Sequence, residues 1–98
     1  MGTNLLGELA ANNGTYFLNN GSYQGNIDQI IVRGDGVVVS KIYVIRDGEL
    51  TQVAIEYLTS INVPNGLRIT PKNNEVFVRV DLGNASSAAS GIELVLSA

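Results

Sequence analysis

Val37-Val38-Val39-Ser40-Lys41-Ile42-Tyr43-Val44-Ile45 is the longest apolar, β-branched run in the chain, and it reads as the strand around which the rest is built. Strict alternation puts Val37, Val39, Tyr43 and Ile45 on one face and Val38, Ile42 and Val44 on the other, so both faces call for cover. Gly34-Asp35-Gly36 precedes the run and Asp47-Gly48 follows it. Both are hairpin signals, and they predict an antiparallel neighbour on each side.

Upstream, residues 23–33 carry Ile27, Ile30, Ile31 and Val32 and form the first core strand, with Gly25 marking a bulge or a close approach. Thr15 to Leu18 is a short β-type run, and Asn19-Asn20-Gly21-Ser22 is a turn that would join the two as a hairpin. Downstream, residues 51–59 alternate Val53, Ile55 and Tyr57 against Gln52 and Glu56, which predicts a strand with one wet face. Pro64 and Asn65-Gly66 mark a turn before a short strand over residues 67–70.

Residues 75–82 set Val76, Val78, Val80 and Leu82 against Glu75, Arg79 and Asp81. Phe77 interrupts the charged face, which marks it as a packing or interface residue. Residues 83–91 are small and polar and predict a flexible loop; Ile92, Leu94 and Leu96 make the final strand. About seven short strands follow, an all-β chain folded as a single small antiparallel β-sandwich or barrel over residues 14–98.

Residues 1–13 stand apart. Leu5, Leu6, Leu9 and Ala10 fall at helix-like spacing that Gly7 weakens and Asn12-Asn13-Gly14 would end. A short helix and an extended arm carrying leucines toward a partner are both compatible with that pattern.

The chain has 98 residues, room for one domain that buries about 60–65% of its unfolded surface. There is no cysteine to staple it and no histidine to complete a zinc site, so burial against a partner or a second copy is the expected support. Six basic and nine acidic residues leave a net charge of −3, with only 15% of residues charged. The basic residues are scattered singly, which argues against nucleic acid as a partner. No apolar run approaches a membrane span, and the N-terminus lacks the basic start of a signal peptide, so a soluble, unprocessed chain is expected. Asn13-Gly14-Thr15, Asn20-Gly21-Ser22 and Asn84-Ala85-Ser86 match the glycosylation pattern but read more simply as turns.

Histidine and cysteine are also what the familiar nucleophilic triads need, and their absence removes those mechanisms. Asp28, Asp35, Asp47, Glu49, Glu56, Glu75, Asp81 and Glu93 remain for a paired-carboxylate site, yet they sit at turns or alternate outward, where solvated charges belong. Calcium would have only Asp35, or Asp47 with Glu49, too sparse an oxygen set for a dedicated loop. Arg33-Gly34-Asp35 spells an integrin-binding tripeptide, but a strand running into a Gly-Asp-Gly turn produces the same letters. No catalytic residue, metal ligand or cofactor site is therefore assigned. Tyr16, Tyr23, Tyr43 and Tyr57 are read as packing residues that would alternatively offer a sugar platform.

Gly21-Ser22-Tyr23-Gln24-Gly25, the Ile-rich strand, Asp35-Gly36-Val37-Val38 and the run from Ile61-Asn62-Val63-Pro64 through Asn65-Gly66-Leu67-Arg68-Ile69-Thr70-Pro71 resemble the capsid decoration, or cement, proteins of tailed bacteriophages. The likeness covers residues 15–98 and rests on the order of turns and strands. It implies a non-enzymatic virion protein on the outer capsid surface, commonly a homotrimer, whose partner is the major capsid protein. The candidate partner contacts are Leu5, Leu6, Leu9, Tyr16, Phe17, Tyr23 and Phe77. The alternative is a carbohydrate-binding or adhesion module of a phage fibre or secreted protein.

Overall fold

The computed structural model describes residues 14–72 and 75–97. They form β1 (Thr15–Leu18), β2 (Gly21–Arg33), β3 (Val37–Arg46), β4 (Glu49–Gln52), a single helical turn α1 (Ala54–Tyr57), β5 (Asn62–Val63), β6 (Arg68–Ile69), β7 (Phe77–Asn84) and β8 (Gly91–Leu96). The expected all-β, antiparallel class is what the chain adopts, with eight strands among the described residues. The expectations for residues 1–13 lie outside them.

Asp47-Gly48 makes the predicted hairpin. Both residues have positive φ, 51° and 79°, and Arg46 faces Glu49, the geometry of a two-residue turn whose twist suits the flanking strands. The turn at residues 34–36 behaves differently. β2 and β3 do not pair across it: β7 lies between them in the sheet, and near the turn the segment 61–69 inserts two short strands, β6 pairing with β2 at Ile30 and Ile31 and β5 with β3 at Val37 and Val38. Backbone bonds from Val32 N to Leu67 O and from Gly66 N to Val32 O, both 2.8 Å, complete the insertion. Asn65 secures it by accepting a hydrogen bond from Gly34 N at 2.9 Å.

The pairings therefore run in a circuit. β2 joins β7, β7 joins β3, β3 joins β5, and the turn at Asn65-Gly66 leads into β6 and back to β2. The strands in this circuit bury one apolar cluster between them. β8 lines the other edge of β2, and β1 pairs with β8 rather than with β2, so the expected hairpin at Asn19-Asn20 does not form. That turn is instead tied to the loop before β8, with Asn19 Nδ2 donating to the carbonyls of Ser87 at 3.0 Å and Ser90 at 2.9 Å. The stretch 83–91, expected to be a flexible loop, ends β7, begins β8 and is further held between them by Ser86 Oγ, which donates to Asp35 O at 2.5 Å.

Bulges overturn the simple alternation. In β3 the buried residues are Val37, Val39, Ile42 and Val44, not one parity set, because pairing with β7 steps from Val39–Leu82 to Lys41–Asp81 and leaves Ser40 as an extra residue. Ser40 Oγ donates to Asp81 O at 3.1 Å across the gap. The strand thus has one interior face, not two apolar faces in need of cover. In β7 the same effect turns Phe77 inward with Val80 and Leu82, and leaves Val78 opposite no residue of β3. Phe77 is fully buried, so its assignment as a partner contact is corrected: it is a core residue. In β2 a third irregularity falls between Gln24 and Ile27, at the predicted Gly25.

The alternation over residues 51–59 predicts one strand, but β4 stops at Gln52. Gln52 Oε1 accepts from Ala54 N at 2.6 Å, and Leu58 N donates to Ala54 O at 2.8 Å, which turns the chain into α1. Val53, Ala54 and Leu58 face the core while Ile55 is left 83% exposed. A spacing of two mimics a strand here; burial of the 54 and 58 positions, four apart, decides for a turn.

Candidate interaction surface

The outer face of the β3–β4 hairpin is built by register. Tyr43 faces Gln52 and Ile45 faces Leu50, and residues directly opposite each other in an antiparallel pair share a face. Ile45 and Leu50 are 51% and 52% exposed, so two branched side chains stand side by side in water at an edge of the sheet. Next to them the Arg79 guanidinium lies over the Tyr43 ring, 5.4 Å from its centroid, and Arg79 Nε donates to Asp81 at 2.9 Å. A polar rim therefore borders an apolar pair.

The candidates read from sequence scatter. Tyr16 and Tyr23 are half-buried and pack on each other with ring centroids 5.0 Å apart and planes tilted 34°. Phe17, on β1, is 42% exposed. Leu5, Leu6 and Leu9 fall outside the described residues. Ile45 and Ile55 escape the sequence reading for a common reason: strand parity places both with core residues, and the bulge at Ser40 and the turn at α1 reverse them. Leu50 carries a usable signal, since it sits opposite Ile45 once Asp47-Gly48 is taken as the turn.

The densest polar cluster lies where the buried core ends, beyond Val44. Arg46 donates through Nε to Glu75 Oε2 at 2.6 Å and through Nη1 and Nη2 to both oxygens of Glu56 at 3.0 and 2.7 Å. Tyr57 Oη donates to Glu75 Oε1 at 2.8 Å and accepts from Lys72 N at 3.0 Å, while Lys72 Nζ reaches Glu56 O at 3.0 Å. Beneath, the Tyr57 ring meets Phe77 edge to face, centroids 5.0 Å apart. Hydrogen bonds from Arg46 hold both carboxyls below the usual glutamate range, with Tyr57 assisting at Glu75. The same bonds, from Glu56 first and Glu75 next, push Arg46 further up, and burial raises the Tyr57 phenol.

Elsewhere, Arg33 of the Arg-Gly-Asp run is engaged with Glu93 at 2.6 Å. Among the described residues no three aspartates, glutamates, histidines or cysteines converge on a metal position, and every fully buried side-chain polar atom has a partner. Comparison with protein-family models, with curated proteins and with solved structures finds no match for this chain.

Proposed function

We propose that this protein is a non-enzymatic structural module that docks on a protein shell, in the manner of the phage capsid decoration proteins it resembles, and that it does so as a homotrimer bridging neighbouring capsid subunits. The observation that carries the reading is the Ile45–Leu50 pair, exposed on an edge hairpin with a polar rim, the composition of a docking patch in miniature. A low charge content supports it, since a chain with only 15% charged residues has few charges to solvate its surface and gains from covering part of it. A trimer would match threefold junctions of an icosahedral lattice, and binding the assembled shell more tightly than its parts would stabilise the shell by mass action.

The sugar-binding alternative has less support. Tyr16 and Tyr23 occupy each other, Tyr57 is committed to Phe77, and Arg79 covers one face of Tyr43.

Replacing Ile45 and Leu50 together by serine should leave the melting temperature within about 2–4 °C of the parent, because exposed sites contribute little to folding. Co-sedimentation with shells lacking the protein should fall at least about tenfold for this variant, the loss of two apolar contacts at a docking patch. Undiminished binding by the double variant would refute the patch. A protein that stays monomeric by mass measurement and never sediments with shells would refute the role.

A further inference from the structure

The Arg46 cluster joins four parts of the chain: Arg46 at the end of β3, Glu56 and Tyr57 on α1, Lys72, and Glu75 just before β7, the last brought beside β3 by the Val44–Phe77 pairing. Arg46 spends its donors on two carboxylates at once, and Tyr57 and Lys72 are bound to the same pair of acids or their backbone. One turn of helix has no stability of its own, so α1 depends on what holds its two ends. Its ends are anchored by Val53, Ala54 and Leu58 in the core; its outer side, Glu56 and Tyr57, is held by this network and by the packing of the Tyr57 ring on Phe77.

We infer that the network is an acid-released latch, which keeps α1, Lys72 and Glu75 closed over the Phe77 end of the core and whose release opens that end while the strands stay paired. The groups that face Arg46 are Glu56, Glu75 and, through Glu75, Tyr57, with Lys72 against Glu56 and the Tyr57 ring at 4.7 Å. Protonation of one glutamate removes half of the charge that Arg46 binds, and protonation of both leaves Arg46 and Lys72 as cations with no carboxylate between them. Because both folded carboxyls titrate below their unfolded range, the closed state has its full advantage above that range and loses it as pH falls through the folded values. The core behind the latch is indifferent to acid: its buried side chains are apolar apart from Ser90. Local opening ahead of global unfolding follows from that separation.

Amide hydrogen exchange from neutral pH to about pH 2, corrected for the intrinsic pH dependence of exchange, tests the latch. The amides of Glu56 and Leu58, bonded to Val53 O and Ala54 O, should lose at least about tenfold in protection before those of β2 and β8 change. The Glu56→Gln, Glu75→Gln double variant should show the low protection already at neutral pH, with the acid step gone; if it fails to fold, Arg46→Lys, which keeps the charge but loses the forked contacts, should shift the step to higher pH. Protection at 56 and 58 that survives to the acid end, or a single step in which all strands exchange together, overturns the inference.

Discussion

Replacing Phe77 by alanine should cost about 3–5 kcal/mol, the range for emptying a fully buried aromatic site, against a total stability of about 5–15 kcal/mol for a domain of this kind. Phe77 is fully buried, sits in register between Ile27 of β2 and Val44 of β3, and carries the Tyr57 ring on its edge. Its loss therefore loosens two strand pairings and the support beneath the Arg46 network together. Urea denaturation would read it as a large drop in midpoint with little change in slope. Phe17→Ala, at a residue 42% exposed on β1, should cost less than about 1 kcal/mol by the same measurement. Were Phe77 a partner contact, the order would invert: the Phe77 variant would fold normally and fail only in binding.

Gly34→Ala and Gly48→Ala should differ although both glycines have nearly the same backbone, φ +84° and +79°. A left-handed conformation alone costs an alanine about 1–2 kcal/mol, and at Gly48 nothing else stands in the way, since a Cβ added there would have no atom within 4 Å. At Gly34 the added carbon would meet Ser90 Oγ at 2.5 Å and Ser90 Cα at 3.0 Å, and Ser90 is buried and bonded into the loop before β8. That crowding should add about 1–3 kcal/mol. Ser90→Gly in the Gly34→Ala background should recover part of the difference. Equal losses at positions 34 and 48 would mean that the turn gives way without strain and that its packing on the loop contributes nothing.

Both effects arise at places where distant parts of the chain meet, and the same holds for the exposed patch. Ile45 and Leu50 are neighbours because of a two-residue turn that Asp47-Gly48 predicts on its own. Their exposure follows from an unpaired residue, Ser40, five positions earlier in β3, and that residue is unpaired because β7 supplies one partner fewer. Arg46, Glu56 and Glu75 look like ordinary surface charges in sequence. They converge because β4 ends in a turn instead of continuing, and because β7 enters the sheet beside β3.

What the sequence determined by itself is the class of fold and its punctuation: β-branched runs of strand length, Gly-Asp and Asn-Gly turns, the Gly25 irregularity, and Ile92, Leu94 and Leu96 as an inward-facing final strand. These are local preferences of φ, ψ and side-chain shape, and each is written in a few adjacent residues. Tertiary structure alone decided which strands pair beyond the β3–β4 hairpin, that β7 lies between β2 and β3 while β5 and β6 pair beside them, and which face of β3 and β7 is inside. A bulge shifts the parity of every residue beyond it, and its position is set by pairing with partners dozens of residues away. No local run of letters carries that constraint.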